Sequence, residues 1–380
     1  MAVQKFTDKQ KPAILFVHNT LMWYTQPFFV KLSEIYDVKF VFTHAVLSKD
    51  IYGVEMASQL PGFGDVTYKV LKNYFGIAFG VIKELLKNYD LVVDSLGSIE
   101  ALFSFMIAKL RRKPIIFWSE HWGWKGGAAS PFARFVVPRS NAIFVPGSKH
   151  REFFISLGIS PNKVFIVPNA SNMTGRDGDS DEKEQLKREL KIGQRKVILY
   201  VGRLVKQKGV EYLMEAFHEL RKERNDVTLL IVGEGECRKH LELLSRELNL
   251  ADSVYFTGFI KNTNLPAYYL LGDVCVMPSI NYGQADAWGF VLNEAMHFGK
   301  PVIATDAVGA AYDMIKDGIN GFIVPEKDAH ALFEAMKRIL SDSELAKRMG
   351  EESRRIIEQA FTYEHMVQGF SRAVESVLTP

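Results

Sequence analysis

Cysteine is almost absent from the 380-residue chain, with Cys237 and Cys275 its only two. Two cysteines supply neither a disulfide framework nor a cysteine-based metal cluster, so a reducing, cytoplasmic setting is expected. No apolar run reaches the ~18 residues of a membrane span. The N-terminus "MAVQKFTDKQKPAILFV" holds only a short apolar stretch, which reads as a first strand and excludes a signal-peptide reading. Internal repeats and low-complexity tracts are lacking, which excludes solenoids and compositionally disordered arrays. A strong charge of either sign is lacking too, since the net charge is only +3; no nucleic-acid partner is expected. That small sum hides an asymmetry: residues 1–170 carry +8 and residues 171–380 carry −5. The basic half suits an anionic partner such as a phosphate-bearing lipid or a bilayer surface. Dispersed, solvated lysines account for it equally well.

What is present is ordinary for a globular chain, with 47% hydrophobic and 24% charged residues. The length exceeds one typical core, so two domains are the default. Short apolar runs alternate with helical patterns throughout: "AILFVH" (13–18), "VKFVFTH" (38–44), "LVVDS" (91–95), "PIIFWSE" (114–120), "AIFVPGS" (142–148) and "VFIVPN" (164–169) read as strands. "FFVKLSEIY", "YFGIAFGVIKELLKN" and "EALFSFMIAKLRR" read as the intervening helices. The polar tract 171–190 breaks the rhythm and reads as a linker or the lead-in to a helix. A second strand series follows at 196–203, 227–233, 253–259, 274–279, 301–306 and 321–325. Near-continuous apolar strands between helices imply parallel sheets covered on both faces. The expected fold is α/β, with two tandem Rossmann-like doubly wound domains facing a cleft. The boundaries are 1–170 and 171–361, with an amphipathic final helix at 362–380 packing back on the first domain.

Three segments carry chemistry. In "LYVGRLVKQKGVEYLMEAF" a predicted strand runs into Gly202-Arg203, and Lys208-Gly209 precede a helix. Two cations five residues apart at a strand's end can converge on a diphosphate, Arg as a fork of donors and Lys as a mobile charge. Two solvated cations beside a tight turn would look the same. In "QADAWGFVLNEAM", Asp286 lies on a loop, Gly289 allows close backbone approach, and Glu294 falls about one turn inside the next helix. There a carboxylate can accept both hydroxyls of a ribose, while Asp286 would face hexose hydroxyls. A helix-stabilising acid and a solvated loop acid are the plainer readings. "IVGEGE" (231–236) reads as a turn.

The order Gly-Arg…Lys-Gly, Gly-Glu-Gly, Phe-Thr-Gly-Phe, Met-Pro-Ser, Asp-x7-Glu and Asn-Gly-Phe resembles the C-terminal domain of the retaining family 4 glycosyltransferases (glycosyltransferase group 1). Their fold is the two-domain GT-B fold. The resemblance covers roughly residues 195–345. It implies that Arg203 and Lys208 bind a donor diphosphate and that Glu294 bonds the ribose. It also implies that Gly258, Phe259 and Ile260 border the nucleobase and that Gly289, Phe290 and Val291 present backbone N–H groups to the donor. The sequence departs from the family pattern at Asp286, where glutamate is usual, and at Ala287, where proline is common. It departs too in the loop "HNTLMWYTQPFF", which lacks paired glycines, and at 308–310, which has one glycine where two are frequent. In "FWSEHWGWKGG" (117–127), His121 looks like the histidine that family members place near the anomeric carbon, with Trp122 and Trp124 beside it. A Trp-rich packing loop is the alternative, and His18 and Asn19 hold a similar position after the first strand.

The resulting expectation is a retaining glycosyltransferase with no cofactor, moving sugar from a nucleoside-diphosphate sugar to a hydroxyl acceptor, a glycan or lipid-linked glycan. No Asp-x-Asp pair ends a predicted strand, so no metal site is expected and the cations would carry the leaving-group charge. The competing readings are a nucleotide-sugar epimerase or phosphorylase of the same fold, or a non-catalytic nucleotide-sugar-binding partner. Segment 68–88 is either a buried crossover helix or an interfacial amphipathic one. The second option places the protein at the inner face of a membrane as a peripheral component.

Overall fold

A computed structural model describes residues 11–20, 22, 24–43, 66–74, 76–122, 129–173 and 180–379. The chain divides into unit 1, Met1–Asn172 with Thr362–Pro380, and unit 2, Met173–Phe361.

In unit 1 the apolar runs form β1 (Ala13–His18), β2 (Asp37–Phe42), β3 (Tyr68–Val70), β4 (Leu91–Ser95), β5 (Ile115–Trp118), β6 (Ala142–Val145) and β7 (Val164–Ile166). Between them lie α1 (Gln26–Ile35), α2 (Gly80–Leu85), α3 (Ile99–Leu110), α4 (Ala129–Val136) and α5 (Ser148–Ser156). Every residue of β4, β5 and β6 is buried, as a parallel sheet covered on both faces requires. The sheet order is β3-β2-β1-β4-β5-β6-β7.

Unit 2 runs α6 (Ser180–Glu189), β8 (Lys196–Val201), α7 (Val210–Glu223), β9 (Val227–Val232), α8 (Arg238–Glu247), β10 (Val254–Gly258) and α9 (Leu265–Leu271). It continues with β11 (Val274–Met277), α10 (Phe290–His297), β12 (Val302–Thr305), α11 (Ala311–Met314), β13 (Gly321–Val324), α12 (Ala329–Ser341) and α13 (Ser343–Ala360). Its six strands take the order β10-β9-β8-β11-β12-β13. The strand order reverses between β8 and β11, which pair in parallel through Val274 against Ile198. A crevice opens beyond the carboxyl ends of strands at such a reversal.

The last helix, α14 (Tyr363–Leu378), belongs to unit 1. Thr362 caps it by accepting a bond from the His365 amide. Its Phe370 stacks on Phe16 with ring centroids 6.0 Å apart and meets Phe28 and Phe144 edge-on. Gly369 permits that docking, because a Cβ there would lie 2.6 Å from the Ile166 carbonyl oxygen.

Two expectations need correction. The helix expected across "YFGIAFGVIKELLKN" covers only Gly80–Leu85. Upstream, Tyr74 and Ile77 exchange backbone hydrogen bonds of 2.9 and 3.0 Å, and Gly76 between them takes φ 81°, a turn that ends helical winding. The polar tract 171–190 is not wholly linker, since Ser180–Glu189 is helical; Gly175 and Gly178 lie outside the described residues. Among the described residues no helix is long and apolar enough to cross a membrane.

Candidate functional site

The β8–β11 reversal is flanked by the two segments singled out above. After β8 the chain makes one 3-10 turn, Lys206–Lys208, and enters α7 through Gly209 at φ 60°. A Cβ on Gly209 would lie 2.1 Å from the Pro278 carbonyl oxygen, so only glycine lets this loop press on the one that follows β11. Backbone and side chain then stitch the loops together. The Ile280 amide donates to the Gln207 carbonyl at 2.8 Å. Gln207 Nε2 donates to the carbonyls of Gln284 at 2.9 Å and Ala285 at 3.2 Å.

At this junction the Lys208 ammonium donates to Asp286 Oδ2, and the Ser279 hydroxyl donates to the same oxygen at 2.9 Å. Both charged side chains are mostly enclosed, 17% and 14% exposed. Asp286 is also held by its backbone: its amide donates to Ala307 O and its carbonyl accepts from the Gly309 amide, both at 2.9 Å. Three loops, after β8, β11 and β12, therefore converge on one residue, two of them on its carboxylate and the third on its backbone. Arg203, at the end of the same strand that leads to Lys208, is exposed. Its carbonyl accepts a 2.8 Å bond from the buried Tyr200 hydroxyl, which fixes its backbone.

Gly289 takes φ 94° immediately before α10, and a Cβ there would lie 2.7 Å from Met277 Cε. Phe290 and Val291 open the helix half-buried, so its first N–H groups start beside β11. Glu294 sits inside the helix and is buried. One of its oxygens accepts from the Tyr269 hydroxyl on α9, and Tyr269 in turn stacks on Phe298 at 5.5 Å. Burial lifts the Glu294 carboxyl to about 7, with the Tyr269 bond working against the rise. Beside it, Asn293 accepts from Trp288 Nε1 at 2.8 Å.

At the end of β10, Gly258 takes φ 77° and its carbonyl accepts from the Gly233 amide at 3.0 Å. Phe259 is 53% exposed and Ile260 is half-buried. The turn "IVGEGE" is tighter than its sequence suggests. Cβ atoms on Gly233 and Gly235 would fall 1.9 Å from Gly202 O and 2.3 Å from Leu204 O. These glycines let the turn abut the loop bearing Arg203.

In unit 1, His121 is exposed just past β5, its amide bonded to Ser119 Oγ at 3.3 Å. The protein around its ring lowers the imidazole pKa. The preceding Glu120 has its carboxyl pKa raised by burial and accepts from Asn169 Nδ2 at 3.4 Å. His150 Nε2 lies 3.1 Å from the Glu120 carbonyl, so that nitrogen carries the proton. Trp122 tilts toward the His150 ring at 6.4 Å; Trp124, Gly126 and Gly127 lie outside the described residues. His18 accepts from the Thr20 amide at 3.3 Å and packs against Trp118. Burial lowers its pKa to about 4, which keeps it neutral. Asn19 beside it is exposed.

Lys208 and Asp286 are thus brought together, while Glu294 is engaged separately by Tyr269. Sequence reasoning had no role for Ser279, Gln207 or Tyr269. Ser279 stood in the noted Met-Pro-Ser motif, and a strand-end serine was the available signal. Among the described residues no cluster of His, Cys, Asp and Glu is placed to hold a metal ion.

Comparison with known proteins places this geometry. The family model "Glycosyl transferases group 1" matches residues 181–356. Alpha-D-kanosaminyltransferase of Streptomyces kanamyceticus is 34% identical over 177 residues, 46% of this chain and 45% of that protein. The GDP-mannose-dependent alpha-(1-6)-phosphatidylinositol monomannoside mannosyltransferase of Mycobacterium tuberculosis is 28% identical over 64% of this chain and 65% of its own length. The chain thus spans about half the length of the first relative and just under two thirds of the second. Among solved structures, HepE of Anabaena in complex with UDP superposes with a TM-score of 0.78 at 18% identity, covering 96% of this chain and 100% of that one. A glycosyltransferase of Rickettsia africae gives 0.80 at 18% identity, over 98% and 100%. These two likenesses establish the GT-B fold. Residues 181–356 of the chain thus match the glycosyl transferases group 1 family.

Proposed function

We propose that the protein is a retaining glycosyltransferase that moves a sugar from a nucleoside-diphosphate sugar to a hydroxyl of a glycan or lipid-linked glycan, without a metal ion. The observation that carries the reading is the Lys208–Asp286 pair at the β8–β11 reversal, inside the segment that matches the family. Lys208 and Arg203 neutralise the diphosphate, and the charge that builds on it as the bond to the sugar breaks is met by these cations and the first N–H groups of α10. The acceptor hydroxyl attacks the anomeric carbon on the face the diphosphate leaves, and its proton passes to the departing phosphate oxygen. Glu294 accepts from the ribose hydroxyls. Gly258, Phe259 and Ile260 border the base, while Gly289, Phe290 and Val291 offer backbone donors. Asp286 and His121 are assigned the sugar and the acceptor.

The test is a panel of UDP-, GDP- and ADP-sugars, assayed for binding, slow hydrolysis and transfer. Transfer or hydrolysis with one donor, with the anomeric configuration kept, supports the proposal. Epimerised donor without acceptor, or turnover only with inorganic phosphate, selects an epimerase or a phosphorylase. Binding without turnover selects a non-catalytic protein, and no binding overturns the donor site.

A further inference from the structure

The helices α2 and α3 of unit 1 lie side by side. The rings of Phe79 and Phe103 sit 6.2 Å apart, and the Ala78 amide donates to Glu100 Oε1 at 2.7 Å. The inner face of α3 is buried through Ala101, Ser104, Phe105 and Ala108. Its outer face is apolar as well: Ile99, Met106 and Leu110 are 45%, 59% and 85% exposed. Positions 99, 106 and 110 fall on one stripe at 100° per residue. Phe79 and Leu86, at the two ends of α2, add side chains 49% and 63% exposed. A single exposed leucine is unremarkable, but five large apolar side chains on two adjoining helices form a patch that asks for an occupant.

The charge around the patch indicates which occupant. Residues 79–113 contain six Lys/Arg and four Asp/Glu. Three of the acids, Glu84, Asp94 and Glu100, are buried. Asp90 alone is exposed, and it is tied to the Ala13 amide at 3.0 Å. Glu84 is covered by three ammonium groups, those of Lys39, Lys69 and Lys87, at 2.8, 2.7 and 2.7 Å. One carboxylate beneath three lysines leaves an excess of positive charge at the surface. Lys83, Lys109 and Arg112 add to it without an ion-pair partner among the described contacts.

We propose that the α2–α3 face docks unit 1 on an anionic lipid bilayer, its apolar side chains entering the acyl boundary and its cations resting on lipid phosphates. Apolar insertion and electrostatic attraction act together in such binding, and neither suffices alone. A second copy of the chain is the competing occupant, but two copies of this face would set like charges against each other. The inference is independent of the donor site, since these residues belong to unit 1 and none of them has a role in the proposed donor chemistry.

Sedimentation of the full chain with lipid vesicles tests it. Co-sedimentation is expected with phosphatidylcholine vesicles containing phosphatidylglycerol, reversed by high salt, and little is expected with phosphatidylcholine alone. The double variant Met106→Glu/Leu110→Glu, both at exposed positions, should lower partitioning by about tenfold or more while its circular dichroism and thermal transition match wild type. Lys83→Glu/Lys109→Glu should weaken binding to the anionic vesicles and supplies the reading if the first variant folds poorly. Three results overturn the proposal: no sedimentation with anionic vesicles at low salt, unchanged partitioning of both variants, or a wild-type dimer in solution that Met106→Glu/Leu110→Glu converts to monomer.

Discussion

Replacing Asp286 by asparagine removes one charge and little else. The amide oxygen still accepts from Ser279, and the backbone bonds to Ala307 and Gly309 persist. What is lost is the ionic partner of Lys208. An exposed ion pair is worth ~0–1 kcal/mol, whereas removing one member of a buried pair costs ~3–5 kcal/mol. At 17% and 14% exposure this pair lies between those limits, so a loss of about 1–3 kcal/mol is expected. Lysine carries ~2 kcal/mol of rotamer entropy, and an untethered Lys208 must surrender it when it meets the diphosphate. The cost therefore registers in turnover of the donor. Steady-state kinetics of Asp286→Asn should show kcat/KM falling by roughly 5- to 150-fold, with a modest fall in Tm. Because Asp286 is also assigned the sugar, preference among sugars on one nucleotide should change more than affinity for the free nucleoside diphosphate. A kcat/KM within twofold of wild type would refute the reasoning. So would a rise, which would mean that Asp286 competes with the diphosphate for Lys208.

Four further expectations follow from the same geometry. Arg203→Ala and Lys208→Ala should each abolish most turnover, and activity within a few-fold of wild type would remove them from the diphosphate site. Glu294 is charged only above about 7; as a ribose acceptor it should make the donor KM fall between pH 6 and 8, and Glu294→Gln should flatten that profile. Its folded-state pKa is raised from 4.5, so it contributes a loss of stability as pH climbs from 4.5 through 7. Glu84 behaves oppositely: burial works against its charge, but three lysines hold it at about 2. The stability it provides is complete above 4.5 and lost as pH falls toward 2, and Glu84→Gln should reduce that part of an acid-unfolding curve. Gly209→Ala meets the Pro278 carbonyl at 2.1 Å and should destabilise by about 2–4 kcal/mol, read by denaturant titration.

Strands such as "LVVDS" and "KVILYV" were legible because the sheet is covered on both faces, so most of their positions are buried and apolar. The helix of Glu294 was legible from its spacing, and its depth inside α10 is as expected. The partnership of Lys208 with Asp286 was not, because 78 residues separate them and only the strand order makes them neighbours. Tyr269 escaped for the same reason: nothing in "LPAYYLL" tells which tyrosine turns toward α10. Gly233 and Gly235 read as a plain turn, since a close approach between two backbones leaves no mark on the sequence of either. The shortened α2 was concealed by a run that is apolar whether wound or bridged.

The seating of Phe370 among Phe16, Phe28 and Phe144 also bears on how the chain is born. Unit 1 begins the chain, but its last helix is translated only after the whole of unit 2. On the ribosome, the aromatic face that α14 covers stays wet while Met173–Phe361 is made and folds. Unit 1, most of which is synthesised before unit 2, is therefore completed only after it. Chaperones that bind exposed aromatic surface have their longest window on this face, and stalling before Tyr363 should leave unit 1 protease-sensitive beside an already resistant unit 2.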